Sequence, residues 1–158
     1  MRISAKADYA VRAVVHLAAA AVEGAGGDGA PVKAQAIADE QDIPVRFLLG
    51  IMNELRVSGL VRSQRGADGG FVLARPAAEI AVADVIRAVE GPLANVSDLR
   101  PDEIDYTGSA AALKDVWIAV RASLRRVLET TTIAAVASGK LPSAVTSLTR
   151  DDDAWLPH

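Results

Sequence analysis

Cysteine is absent from all 158 residues. That removes every thiolate, and with it a cysteine nucleophile or a thiolate-held iron or zinc ion. Histidine is nearly absent too: His16 falls within the first helical run and His158 ends the chain, so no His-based metal motif exists. Aromatic residues make up 4% of a chain that is 51% hydrophobic and dominated by alanine and valine, a composition suited to close helix packing rather than to a ring-lined ligand cavity. No apolar run reaches membrane-spanning length, and the N-terminus lacks separate basic, apolar and cleavage regions. The expected location is therefore cytoplasmic, with no membrane partner. GxSxG, HExxH and a carboxylate pair with a matched base are all missing. Neither an enzyme nor a cofactor is expected.

Positive charge is scarce overall. The net charge of −3 and pI near 5.4 argue against a protein that coats nucleic acid through bulk electrostatics. Local charge tells a different story: from position 46 to 75 there are five arginines (46, 56, 62, 65 and 75) against Glu54 and Asp68, an excess of three positive charges. The acidic residues collect elsewhere, at Asp98, Asp102, Glu103 and Asp105 and in the run Asp151-Asp152-Asp153.

The basic region has a readable architecture. In LVRSQRGADGGFVLARP (60–76) two short alternating runs, Val61 and Ser63 against Arg62 and Gln64, then Phe71 and Leu73 against Val72 and Ala74, flank RGADGG. This predicts a β-hairpin whose Gly66, Gly69 and Gly70 let the backbone approach a neighbour closely. Arg62 and Arg65 stand on it, with Arg75 beside it, and a guanidinium can fork two hydrogen bonds onto one phosphate. Alone, such a hairpin reads as an ordinary surface element with solvated arginines.

The residues upstream change that reading. Ala34, Ile37 and Ala38, then Val45, Leu48, Ile51, Met52 and Leu55, recur at helical spacing. Asp42-Ile43-Pro44 breaks the two runs: aspartate tolerates a left-handed turn, Ile43 can plug the core, and proline suits the first turn of a helix. This is the pattern of a helix-turn-helix, whose second helix enters the major groove by its N-terminal end. Arg46 is the leading candidate for a base or phosphate contact, followed by Asn53 and Arg56.

Three segments resemble one family, the IscR/NsrR-type (Rrf-type) bacterial transcription regulators: MRISAKADYAVRAVVHLA, IADEQDIPVRFLLGIMNELRVSGLVRSQRGADGGFVLARP and IAVADVIRAVEGPL. Together they span nearly all of residues 1–93. The resemblance implies a mainly α, winged helix-turn-helix protein with a two-stranded wing, acting as a homodimer on double-stranded DNA through a long C-terminal dimerisation helix. In iron-, nitric-oxide- or redox-sensing members, three cysteines in the loop before that helix hold an iron–sulfur cluster; here the loop is ANVSDLRPDEIDYTGSAA, and the usual cluster cannot form. Asp8 matches a position from which a carboxylate completes the cluster in a relative. It reads better as a negative charge favourably placed near a helix N-terminus. At Leu49 and Gly50, relatives often carry Glu or Gln, so the target sequence is not expected to be inherited.

The expected organisation is a DNA-binding domain over 1–93, with a first helix from Ser4 to Glu23 showing Tyr9, Val11, Val14, Val15, Ala18 and Val22 as apolar faces. The Gly-rich GAGGDGAP is a connector without phosphate-loop spacing, and a short helix runs from Val82 to Glu90. A solvated acidic loop follows at 94–109, then a single dimerisation helix over 110–138 and a disordered acidic tail over 139–158. On the long helix, Leu113, Val116 or Trp117, Val120, Leu124, Val127 or Leu128, and Thr131 describe one apolar stripe, and a symmetry-related copy is the economical partner. Two functional readings follow. One is a DNA-binding regulator acting as a repressor, with a small-molecule effector, a protein effector or none. The other is an interaction module that has lost specific DNA binding and acts through a partner protein. Retention of Arg62, Arg65 and the wing glycines favours the first.

Overall fold

The turn at Asp42 organises the N-terminal half. The computed structural model describes residues 3–23 and 29–157; most of the Gly-rich connector lies outside them. Helix α2 (Ala34–Gln41) ends on Asp42, which takes φ 52° and ψ 52°, the left-handed conformation that a short polar side chain tolerates. Ile43 follows, buried, its amide donating to Ala38 O at 2.9 Å. Pro44 sits immediately before α3 (Val45–Val57), and its carbonyl accepts from Phe47 N and Leu48 N. Proline fits there because its missing N–H would have no helical partner. Helix α3 buries Leu48, Ile51, Met52 and Leu55 and ends at Gly59, φ 71°, where Leu60 N returns to Leu55 O.

Helix α1 (Ala5–Glu23) forms the centre of the core through small residues. Ala7, Ala10, Ala13, Val14, Leu17 and Ala18 are buried, and the alanines let α3 and later helices approach its backbone. The expected apolar faces are therefore corrected. Of the residues anticipated there, Val14 and Ala18 are buried, Tyr9, Val11 and Val15 only border the core, and Val22 is 85% exposed. Alanine carries so weak a hydrophobic signal that the larger valines obscured the true stripe.

The wing consists of β1 (Val61–Gln64) and β2 (Gly70–Leu73), paired antiparallel from Val61↔Leu73 to Gln64↔Gly70. Val32 adds a third contact on the far edge of β2, exchanging both backbone hydrogen bonds with Phe71 at 2.8 and 2.9 Å. Both faces of β2 are covered: Val72 is buried, and Phe71 and Leu73 on the opposite face are half-buried against the core.

Helix α4 (Val82–Glu90) follows, with Asp84 accepting from the Ala81 amide at 3.0 Å and Gly91 closing it at φ 81°. In the loop at 94–109 the acidic residues Asp98, Asp102, Glu103 and Asp105 are all exposed, and three of them also have partners. Asp102 pairs with Arg100 (2.7 Å) and Arg121 (3.3 Å), Asp105 with Lys114 (3.0 Å), and Glu103 accepts from the Arg100 amide (3.1 Å).

The single helix expected over 110–138 is two. Helix α5 spans Leu113–Leu128 and α6 spans Ile133–Ala137. Three consecutive threonines explain the break. Thr130 and Thr131 turn their hydroxyls back to the Arg126 and Val127 carbonyls at 2.6 and 2.7 Å, and Thr132 caps α6 by accepting from Ala135 N at 3.1 Å. The chain then rejoins the core: Val82 N donates to Thr131 O (2.9 Å), Ile133 N donates to Ile80 O (2.8 Å), and Ile133 is fully buried against the bundle. Nor is the tail irregular throughout. Residues Ser143–Thr149 form α7, and the Trp155 indole N–H donates to Thr149 O at 2.9 Å.

An ionic cluster ties α4 to the end of α5. Arg87 pairs with Asp84 (3.7 Å) and with Glu129, and Arg125 donates to the same Glu129 oxygen at 2.9 Å. The Arg125 hydrogen bond, then that of Arg87, hold the Glu129 carboxyl below its ordinary range. A depressed native pKa contributes stability above the unfolded value, about 4.3, and that contribution fades as pH falls through the lower native value. Thermal melts over a pH series should therefore show wild type more stable than Glu129→Gln near neutrality, with the difference closing toward acid. A difference independent of pH would mean that the carboxylate's charge is not what matters.

Candidate nucleic-acid interface

Helix α3 has a buried face and a bare one. Opposite the core residues, Arg46, Leu49, Gly50 and Asn53 recur at three-to-four spacing and are all exposed, Leu49 at 48%. They form one stripe from the N-terminal turn to mid-helix, the part a recognition helix presents to base edges. Arg46 has no ion pair among the described residues, so its guanidinium remains available to a phosphate or a guanine edge. Asn53 differs: its Oδ1 accepts from Arg56 Nη2 at 2.9 Å, so reading an adenine would require breaking or sharing that bond. Leu49 offers only an apolar surface, suited to a thymine methyl, and Gly50 offers no side chain at all.

Two aromatic rings, Tyr9 and Phe47, help to place this stripe; only Phe47 went unassigned from the sequence. Tyr9 of α1 meets Phe47 of α3 edge-on at 5.8 Å, and the Arg12 guanidinium lies 5.5 Å from the Tyr9 ring centre. Phe47, 44% exposed, thus holds the start of α3 against α1. The signal was Phe47 standing off the core periodicity of its own helix. The acid that seemed to dilute the basic patch is neutralised: Glu54 pairs with Lys6 of α1 at 2.7 Å, and Lys6 also donates to Val89 O. Asp8 lies in the first turn of α1 and pairs with Arg12 at 3.3 Å.

On the wing, every residue from Arg62 to Asp68 is exposed. Gly66 sits at the tip with φ 112°, its carbonyl accepting from Gly69 N at 3.0 Å, and open space surrounds it. The other two glycines differ. A Cβ on Gly69 would lie 2.4 Å from Gln64 O, and one on Gly70 would lie 2.4 Å from Val32 O. Those two are glycine because the hairpin and its docking onto Val32 leave no room for a side chain, whatever else contacts them.

The stripe on α5 is divided among several surroundings. No α5 residue is buried. Leu128 packs on the chain's own core, a use that the dimer reading of the stripe did not foresee. Leu124 lines an apolar groove with Ile3, Ile86, Leu93, Val127 and Leu148. Trp117 and Val120 border a second hollow against Asn95, where the Trp117 Nε1 and Asn95 Oδ1 atoms are buried without hydrogen-bond partners. Leu113 is half-buried, and Val116 is 50% exposed.

Comparison with known proteins agrees with this geometry. The Rrf2 family model, described as an iron-dependent transcriptional regulator, matches residues 3–139. The chain is similar to the predicted HTH-type transcriptional regulator Rv1287 of Mycobacterium tuberculosis, 52% identical over 151 residues, covering 96% of this chain and 90% of that protein. Among solved structures it is similar to CymR, the global cysteine regulator of Bacillus subtilis (TM-score 0.73, 31% identity, 89% of this chain and 98% of that one). It is also similar to T. potens IscR (TM-score 0.66, 31% identity, 100% and 93%). None of the relatives named is an enzyme. An iron–sulfur cluster does not fit the donors here: the chain has no cysteine, and the described residues contain no group of three or more His, Asp or Glu able to hold a metal. Winged helix-turn-helix architecture and family match agree: the chain belongs to the Rrf2 family of transcriptional regulators.

Proposed function

We propose that the protein acts as a homodimeric repressor, two α3 helices reading a pseudo-palindromic operator while two wings grip the flanking backbone, without an iron–sulfur cluster. The observation that carries this is the exposed stripe Arg46–Leu49–Gly50–Asn53 beside a wing whose exposed face includes Arg62 and Arg65. Phosphate contacts from such a wing set register and affinity, while the few side chains on α3 discriminate bases. Repression needs only occupancy of the operator. The alternative, an interaction module that no longer reads DNA, gains no support from a wing that keeps both its arginines and its open tip.

Arg65→Ala should weaken binding to specific and nonspecific DNA alike and flatten the salt dependence, because one fewer phosphate is neutralised; the slope of log affinity against log salt should fall by about 0.9. Arg46→Ala should in addition relax sequence preference, costing about 1–3 kcal/mol of discrimination if it meets a base. Fluorescence anisotropy across a salt series checks both, and an Arg65→Ala protein that binds like wild type at every salt concentration would remove the wing from the interface.

The missing thiolates lead to a second expectation. Anaerobic reconstitution with iron and sulfide should give no stable protein-bound cluster, and DNA affinity should not respond to oxidant or nitric oxide. Visible charge-transfer absorption that persists after gel filtration, with stoichiometric iron and sulfide, would contradict this.

A further inference from the structure

Where α4 meets α5 there is a hollow of about 360 Å³ lined by Arg87, Gly91, Pro92, Leu93, Arg121 and Arg125. Three of the six are guanidinium groups and none is a carboxylate. A second hollow shares Arg121 and Arg125 and adds Arg100 together with Asp102, which pairs with Arg100 and Arg121. We propose that the hollow walled by Arg87, Arg121 and Arg125 binds a small metabolite anion carrying two or more negative charges, a phosphate ester or a polycarboxylate.

The local carboxylates do not saturate these cations. Arg87 and Arg125 converge on a single oxygen of Glu129, Arg87 reaches Asp84 only at 3.7 Å, and Arg121 meets Asp102 at 3.3 Å through one terminal nitrogen. Each guanidinium carries five N–H donors, so most of them remain unused by these pairs. The Arg121 Nε is buried and has no hydrogen-bond partner among the described residues. A buried donor left unpaired costs free energy; the acceptors that an anion in the hollow supplies go to the unused terminal N–H groups of the three guanidiniums. Guanidinium forks match carboxylate and phosphate oxygens in bidentate geometry. Glu129, Asp84 and Asp102 offset the formal charge of the three arginines, so what the hollow offers an anion is their unused N–H donors rather than a large net charge. The volume is enough for a small ligand. Gly91-Pro92-Leu93 provides a wall without competing charge.

The location suggests a consequence that rests on the function proposed above. Helix α4 belongs to the DNA-binding layer, and α5 carries the stripe assigned to dimerisation. An anion bridging Arg87 to Arg121 and Arg125 alters the angle at which α5 leaves that layer, hence the spacing of two recognition helices.

Isothermal titration of the DNA-free protein with citrate and, separately, inorganic phosphate, each against potassium chloride at matched ionic strength, tests the site. Saturable binding of at least one probe is expected, absent with chloride and weakened at least tenfold in Arg121→Gln and in Arg87→Gln. The preferred probe separates the polycarboxylate from the phosphate source. Circular dichroism identifies which variants remain folded, and either folded variant decides. No saturable binding of either probe, or binding unchanged in a folded variant, overturns the site. The titration contains no DNA, so failure of operator binding would count against the proposed function and not against this pocket.

Discussion

Leu124→Asp is expected to turn the protein from dimer to monomer and to abolish specific DNA binding with every wing residue intact. Within one protomer Leu124 is only half-buried, lining the apolar groove beside Ile86 and Leu93, so an aspartate there can still reach water and the fold tolerates it. Pressed against a second copy, the same carboxylate is desolvated without a cationic partner, at a cost of several kcal/mol. One winged helix contacts few base pairs. Loss of the tether between two modules therefore forfeits about two to four orders of magnitude of apparent affinity. Sedimentation beside a DNA-binding assay reads both effects, and bared apolar surface showing as aggregation would report the same interface. A Leu124→Asp protein that stays dimeric and still binds its operator would show that α5 does not join the copies.

Gly70→Val should produce a large loss of stability. A Cβ at this position meets the Val32 carbonyl oxygen at 2.4 Å, its carbon at 2.6 Å and the Lys33 nitrogen at 3.0 Å. All three are backbone atoms, so no rotamer change relieves the contact. Either β2 withdraws from Val32, sacrificing the paired Val32–Phe71 hydrogen bonds, or the strand distorts. Overpacking of this kind costs about 1–3 kcal/mol and sometimes more, which in a chain of this length lowers the melting temperature by roughly 2–4 °C per kcal/mol. Thermal denaturation checks it. Melting within a degree of wild type would mean that the wing is not docked on the segment at Val32.

The contrast between these two sites shows what a linear sequence discloses. The helix-turn-helix was legible because its information is local: the periodicity of Leu48, Ile51, Met52 and Leu55 and the turn chemistry of Asp42-Ile43-Pro44 lie within one stretch. The wing was legible for the same reason, but the need for Gly70 was not, since its neighbour Val32 is 38 positions earlier and follows a glycine-rich connector with no pattern. The stripe on α5 continued into Thr131 and beyond by periodicity alone. What ended the helix was threonine hydroxyls competing for helical carbonyls and the return of Thr131 and Ile133 to the edge at Ile80–Val82, a tertiary event. The partners of the acidic loop were likewise not legible: Asp102 and Asp105 pair with Arg121 and Lys114 of α5, cations on a separate element. On α3 the exposed stripe was inferable by subtraction from the core face, whereas the capture of Asn53 by Arg56 required coordinates.

Selection of bound sequences from random duplex DNA with the purified wild-type protein tests the central claim most directly, because it asks at once whether the stripe on α3 reads bases and whether two copies read together. The account predicts enrichment of a two-fold-symmetric motif with half-site centres about one helical turn, roughly 34 Å, apart. Recovery of DNA with no enriched motif, or of one isolated half-site, would contradict it.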